Sequence, residues 1–346
     1  MFKSYDRNLF DQITSAITID ISNISNLVNN INNYGVCVIT NVLNNEECNN
    51  IIEGLCNDFS HLTANLPVPF NIDNKDSYST LDELLPTDGL IYQYWGIGQS
   101  QTVWNVRTND KIINIFKQIY STNELLVSFD AVSFHIPPET HDNKSKRYYS
   151  HDRWHFDQSL KRNSPECIQS WINAFDTDYD DATTCFMIYS NKYHQRYANY
   201  LLANGISLDS DDFIMVNDEN INFFITNRCI PYRVKAPKGS LVLWDSRTLH
   251  FGSKPLQSRL KPNYRMLIYL CYTPSSLISE ANRKRKIEIM NKRGDQGEHR
   301  MTTHWPHKPK MFGKTPRLYG KNPPTINPLP SPIIAENKLY LIGIKK

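Results

Sequence analysis

The sequence predicts a mainly β protein flanked by α-helices, and three features carry that expectation. Between residues 125 and 275 the chain breaks into short apolar runs at 125–135, 154–157, 167–175, 183–189, 232–234, 240–244 and 265–272, with turn residues between them. Short strands spaced in this way form an antiparallel sandwich or barrel. Outside this region the apolar spacing is helical: Ile112, Ile113, Phe116 and Ile119 mark one face over 108–120. Finally, 40% hydrophobic and 12% aromatic residues in a chain of 346 supply a sizeable core.

The elements come in order. Ile21, Ile24, Leu27, Val28 and Ile31 recur at helical spacing within an Asn-rich start. Gly35 then opens a β-type run from Val36 to Ile39, and Asn44, Asn45, Glu46 and Glu47 open a helix through Ile51, Ile52, Leu55 and Phe59. An Asn there can cap free amides, and the carboxylates sit at the positive end of the helix dipole. Residues 61–100 read as loops with aromatic patches at Tyr92, Tyr94 and Trp95. After a strand-rich core at 125–275, interrupted by a mixed insertion at 191–230, residues 276–300 read as a basic helix and 305–332 as an extended Pro-rich arm. The division is a helical part at 1–120, the core at 125–275, and an extension at 276–346 packed on it.

The charge balance narrows the partners. With 38 basic and 35 acidic residues the net charge is +3, which offers no broad basic field to nucleic acid or an anionic membrane. The local exception is the basic segment 283–293, expected to be a solvated helix face, with nucleic acid as the rival reading. No run approaches the ~20 apolar residues of a spanning helix, and residues 1–20 do not resemble a secretory signal. Seven scattered cysteines without a Cys-x-x-Cys pair point to a reducing, intracellular and cytoplasmic setting rather than a disulfide framework.

The chemistry concentrates in Trp154-His155-Phe156-Asp157 and in His250. In an extended segment alternate side chains share a side, so His155 and Asp157 can reach one metal. His250 follows the apolar run that starts at Gly239 and supplies a third ligand from a distant strand. Two histidines and one carboxylate leave half of an octahedron open, which is the pattern of non-haem iron oxygenases. A His-x-Asp alone carries little, because roughly one is expected by chance in such a chain. The strand before His250 and the arginines after it add to the signal. Arg265, fifteen residues after His250, opens the last strand and can take the far carboxylate of 2-oxoglutarate in a two-pronged fork. Arg259, nine residues after His250, competes for that role.

On these residues, and on the opening from Tyr34 to Cys48 and the block from Gly239 to Gly252, the chain resembles the phytanoyl-CoA dioxygenase family of iron(II)/2-oxoglutarate oxygenases. The resemblance covers about residues 34–275. It implies a double-stranded β-helix, a jelly roll, within an oxygenase domain at 1–275. It also implies Fe(II) held by His155, Asp157 and His250, with 2-oxoglutarate as cosubstrate and O2 as oxidant. The expected reaction hydroxylates a small or medium organic molecule and releases succinate and CO2. Trp171, sixteen residues after His155, falls where the family places a tryptophan beside the cosubstrate. Retention of Asp157 separates the chain from the halogenases of the superfamily. The interval from His250 to Arg265 is longer than members often show, with a small insertion at 255–263.

Other residues carry weaker expectations. Ser253 can help bind the cosubstrate. His135, His151 and Gln158 can face substrate or the metal ligands, although each also fits a plain structural role. His299, His304 and His307 lack a supporting carboxylate or thiolate set, so a Pro-rich arm is expected there rather than a second metal. The rival functions are a catalytically inactive jelly-roll binding protein and an oxygenase acting on protein or nucleic acid.

Overall fold

The computed structural model describes residues 2, 5–140, 148–208, 210, 212–291, 304–309 and 322–344. Its first element, α1 (Arg7–Ile17), is capped by the Asp6 carboxylate and buries Phe10, Ile13 and Ile17. Strand β1 (Thr18–Asp20) and helix α2 (Leu27–Tyr34) come next, and α2 ends on Gly35 at φ 82°. Strand β2 (Val36–Thr40) leads into α3 (Asn45–Leu62), where Asn44 and Glu47 form a reciprocal capping box. Then come β3 (Ile91–Tyr92), α4 (Gln101–Arg107) and α5 (Asp110–Tyr120).

The remaining strands are β4 (Leu125–Val127), β5 (Val132–His135), β6 (His155–Phe156), β7 (Ile168–Asn173), β8 (Thr183–Ile188), β9 (Ile214–Met215), β10 (Ile230–Arg233), β11 (Leu241–Asp245), β12 (His250–Ser253) and β13 (Arg265–Pro274). Helices α6 (His194–Ala203) and α7 (Asp218–Thr226) lie in the insertion at 191–230, and α8 (Glu280–Asn291) succeeds the last strand.

These strands make two sheets. One runs β1-β2-β11-β7-β13-β5-β3, with β4 also paired to β13, and the other runs β10-β8-β12-β6-β9. All pairs are antiparallel except β1 with β2. Strand period two sorts the larger sheet into two faces. Cys37, Ile39, Ile172, Leu241, Leu243 and Ile268 pack with α3, α4 and α5. Val36, Val38, Trp171, Val242, Trp244 and Leu267 turn the other way, toward the smaller sheet, where Trp244 packs on Phe186. The second core therefore lies between the sheets.

Several expectations change in detail. The run at 125–135 is two strands. Both pair with β13, but Val127 opposes Tyr272 while Val132 opposes Ile268, so this side carries one extra residue. That is a β-bulge, and it bends the chain at 128–131. The basic helix is not a uniformly solvated face. Lys286 is buried, donates to the Val127 carbonyl and lies 3.8 Å from the centre of the Phe129 ring. Arg283 donates to the Gly343 carbonyl. Lys292, Arg293 and His299 lie outside the described residues. Residues 322–344 pack apolar side chains, among them Ile326, Leu329 and Ile334, on the helical side of the larger sheet. Among the described residues no helix is long and apolar enough to cross a membrane.

This packing makes two stability predictions. Gly239 has φ 76°, and a Cβ there would meet the Leu43 carbonyl oxygen at 2.2 Å. Gly239→Ala should therefore cost about 2 kcal/mol or more by combining left-handed strain with backbone overlap, read as a lowered urea midpoint. Burial also pushes His194 and His307 down to about 4, so both stay neutral in the folded chain below the ordinary histidine value near 6.5. Their folded pKa lies below the unfolded one. Their contribution is complete above about pH 6.5 and is lost as pH falls toward 4, at up to ~1.4 kcal/mol per pH unit per group. Urea melts between pH 7 and 5 should show the decline, and a flat midpoint would contradict it.

Candidate metal centre and its cavity

The centre begins as a matter of register. β6 pairs antiparallel with β12, and His155 stands directly opposite His250. Their rings lie 4.5 Å apart between centroids. Asp157, two residues beyond His155, turns to the same side. Its carboxylate oxygens lie 3.8 Å from His155 Nε2 and 3.3 Å from His250 Nε2. One donor atom from each of the three residues falls within 4.8 Å of the other two.

The outer atoms of both rings are already committed. His155 Nδ1 lies 2.9 Å from the Arg153 carbonyl, and His250 Nδ1 lies 2.9 Å from the Thr248 carbonyl. A carbonyl only accepts, so each Nδ1 carries a hydrogen, and each Nε2 is the ring atom left facing Asp157. Gln169, on β7, donates to Asp157 Oδ2 at 2.8 Å and fixes that carboxylate from behind. Two ring nitrogens and a carboxylate oxygen facing one another form a donor set that a cation would bridge. Burial and the neighbouring His250 push His155 down to about 4, so a proton on that ring is a poor candidate. Burial alone would raise Asp157, but His304, His250 and His155 together hold its carboxyl well below the usual range. The donor set therefore fits a divalent metal of the kind taken by two imidazoles and a carboxylate.

The three groups open into a cavity of about 590 Å³. Leu90, Ile91, Phe213 and Phe251 give it apolar walls, and Asp130 and His304 give it polar ones. The insertion closes one side: β9 pairs with β6, setting Met215 opposite His155, and the Phe213 ring lies tilted 4.8 Å from the His155 ring. Phe186 and Trp244 pack 6.0 and 5.3 Å from the His250 ring. At the rim Arg153 is paired with Asp88.

The two arginine candidates differ sharply. Arg265 is buried at the start of β13, donates to the Thr183 carbonyl at 3.0 Å, and reaches the Tyr269 and Thr184 hydroxyls at 3.2 and 3.4 Å. Its Nε has no partner, and among the described residues no carboxylate pairs with it. Tyr269 and Thr184 line the cavity, so the guanidinium lies just behind that wall. Arg259 is already used, gripping Glu139 through Nε and Nη2 at 2.8 and 2.5 Å and Asp181 at 3.3 Å. It is thus not available to an incoming carboxylate. Trp171 is buried and donates to Thr184 Oγ1 at 3.0 Å, one bond removed from Arg265.

The weaker candidates do not reach the cavity. Gln158 is one step out of phase with Asp157, and its amide turns away to the Arg162 and Ser164 carbonyls and the Ser246 hydroxyl. Ser253 accepts from buried Arg233 at 2.6 Å. His151 is exposed and lines a separate pocket of about 120 Å³. His135 is buried opposite Arg265 in the sheet and is absent from the cavity wall. Of the C-terminal histidines, His307 is buried beside Thr273 and His304 enters the cavity. Sequence reasoning missed Gln169, Thr184, Tyr269 and Asp130, and it set His304 aside as part of a Pro-rich arm. Strand parity could have found two of them, since Gln169 is two residues from Trp171 and Tyr269 is four from Arg265.

No protein-family model matches the chain. A curated protein, Ava biosynthesis cluster protein O of Aspergillus versicolor, is 24% identical over 244 residues, spanning 68% of this chain and 73% of that protein. Among solved structures, GlcNAc Inducible Gene 2, GIG2 (DUF1479), from Candida albicans superposes over 82% of this chain and 73% of its own, with TM-score 0.55 and 12% identity. Hypothetical protein JW0805 from Escherichia coli covers 91% and 88%, with TM-score 0.56 and 11% identity. The non-haem α-ketoglutarate-dependent epimerase SnoN from nogalamycin biosynthesis, in complex with Fe3+, α-ketoglutarate and nogalamycin RO, covers 78% and 85%, with 14% identity. Its TM-score of 0.44 is too low to carry an argument. At these identities GIG2 and JW0805 show a shared fold and nothing finer: this chain has the overall architecture of those two proteins.

Proposed function

We propose that this chain is an Fe(II)- and 2-oxoglutarate-dependent dioxygenase that hydroxylates a small or medium organic substrate, built on a double-stranded β-helix of the kind found in the phytanoyl-CoA dioxygenase family. The observation that carries the reading is the pair of Nε2 atoms converging on Asp157 with both Nδ1 atoms fixed by backbone carbonyls. His155, Asp157 and His250 would hold the iron. When bound, iron with 2-oxoglutarate and O2 supplies the oxidising power, with release of succinate and CO2.

The chain's own residues do the rest. A buried guanidinium without a carboxylate partner is costly unless an anion completes it. Arg265 is such a group, and with the Thr184 and Tyr269 hydroxyls beside it, it would take the distal carboxylate of 2-oxoglutarate. Gln169 keeps Asp157 in place, while Phe213, Phe186 and Trp244 keep water from the imidazoles. An inactive binding protein would have no use for this donor set. The seven buried, free cysteines support an intracellular, cytoplasmic setting.

Metal titration with Fe(II) or Co(II) tests the reading. Wild-type protein should bind one equivalent, and His155→Ala, Asp157→Ala and His250→Ala should lose it while circular dichroism stays native. Full retention by Asp157→Ala would sink the assignment. Arg265→Ala should weaken 2-oxoglutarate by about 30-fold, the worth of one charge-assisted hydrogen-bonding group, with metal affinity unchanged. Arg259→Ala should instead lower the melting temperature, because Glu139 and Asp181 lose their partner. Succinate formation requiring iron, 2-oxoglutarate and O2 together separates the enzyme from a binding protein of the same shape.

A further inference from the structure

Two of the cavity's polar groups outside the triad and the cosubstrate site are Asp130 and His304. Asp130 stands in the bulge between β4 and β5, where the extra residue bends the backbone and turns the side chain into the cavity. Its carboxylate accepts one hydrogen bond, from the Ala131 amide at 2.7 Å. Arg107, behind it, donates at 3.0 Å to the Asp130 main-chain carbonyl. Among the described residues no lysine or arginine side chain pairs with the Asp130 carboxylate. Burial raises this acid, and His304 is the largest influence opposing that rise.

His304 arrives from the C-terminal extension. Its ring lies 4.7 Å from Trp305, whose indole packs on Cys167 and Cys271. The segment is pinned by Lys308 to Glu166, by the His307 carbonyl to Asn282, and by His307 beside Thr273. It thus reaches the cavity as a held element. His304 Nε2 is buried there with no hydrogen-bond partner. Buried polar nitrogens are almost always satisfied, so this one calls for a ligand.

We propose that Asp130 and His304 are the substrate-recognition residues of this cavity and that they take a compact, largely apolar molecule bearing a primary or secondary amine. An ammonium group has N–H donors for the Asp130 carboxylate and, with the imidazole neutral, for His304 Nε2. It also brings a cation into direct contact with the carboxylate, which no lysine or arginine side chain among the described residues provides. Leu90, Ile91, Phe213 and Phe251 would bury the carbon skeleton. A substrate carboxylate in the same place would face both Asp130 and Asp157. The inference rests on the oxygenase reading for the chemistry after binding, but not for binding itself.

The test is equilibrium dialysis of the full chain at pH 7 against tryptamine and indole-3-propionate, a pair that shares an apolar skeleton and differs in the sign of its charge. The measurement is made on metal-free protein and again on protein given Co(II) and 2-oxoglutarate. Wild type should bind tryptamine at least about tenfold tighter, the scale of one charge-assisted hydrogen bond. Asp130→Asn, which keeps an oxygen for the Ala131 amide, should erase that preference. His304→Ala should weaken tryptamine several-fold and leave indole-3-propionate unchanged. The two variants report independently, so a folding defect in one leaves the other decisive. Equal binding of the two probes by wild type, or an undiminished preference in a folded Asp130→Asn protein, overturns the proposal. The visible absorption of Co(II) reports separately on the triad: amine preference without metal binding sinks the oxygenase reading alone, and metal binding without amine preference sinks this one alone.

Discussion

The alignment of β6 against β12 is the constraint on which the site depends. A slip of one residue along β6 would turn Phe156 inward and send His155 and Asp157 to the opposite side, because side chains alternate strictly along a strand. Yet β6 has two residues and pairs with β12 at one position. So short a ladder cannot hold its own alignment by hydrogen bonds. The neighbouring aromatics hold it instead. Phe156 is buried on the far side against His194, Tyr197 and Phe224, at 5.1, 6.2 and 5.9 Å between ring centroids. Trp154 packs 4.7 Å from Phe251 of β12. Moving the strand by one residue would extract a phenylalanine from a packed pocket, at several kcal/mol. The helices of the insertion thus act on the centre through the residue between His155 and Asp157.

The same accounting distinguishes the buried cations. Arg259 has two carboxylates. Arg233 is surrounded by the carbonyls of Tyr179, Asp181 and Lys254 and by the Ser253 hydroxyl. Lys286 has a carbonyl and an aromatic face, and burial pushes its amine well down. Each of these charges is consumed by the fold. Arg265 has one carbonyl, two hydroxyls and an idle Nε, and those hydroxyls belong to the cavity wall. Since a buried charge needs compensation, the side chain whose partners are incomplete is the one suited to receive an anion from outside.

This explains what was legible in the sequence. His155 and Asp157 share a side by the period of a strand, which any extended segment displays. His250 was marked by the Gly239-bounded run before it, although the strand that it opens was not foreseen. The choice between Arg265 and Arg259 could not be settled by spacing, because the partner that occupies Arg259 is Glu139, 120 residues away. Gln158 was misjudged for a simpler reason: adjacency to a ligand in sequence is opposition to it on a strand. Helix α1 was missed because its buried face consists of three residues, Phe10, Ile13 and Ile17, in an otherwise polar segment. The bulge at 128–131 left no composition signal, since Ser128-Phe129-Asp130-Ala131 reads as readily within a continuous strand.

His304 was least legible of all, and the reason is general. Periodicity reports how a segment buries one face, so a stretch without regular structure carries no period to read. Its docking is decided by single side chains. Here Trp305 fills a niche against Cys167 and Cys271, and Lys308 meets Glu166. Cys271 lies on β13, six residues from Arg265, and Cys167 immediately precedes β7, which carries Gln169. The C-terminal segment is thereby fastened to the two strands that carry Gln169, the partner of Asp157, and Arg265. Its position relative to His155, Asp157 and His250 is set by the frame that positions those three residues, so a side chain from outside the sheets can be placed as accurately as one within them.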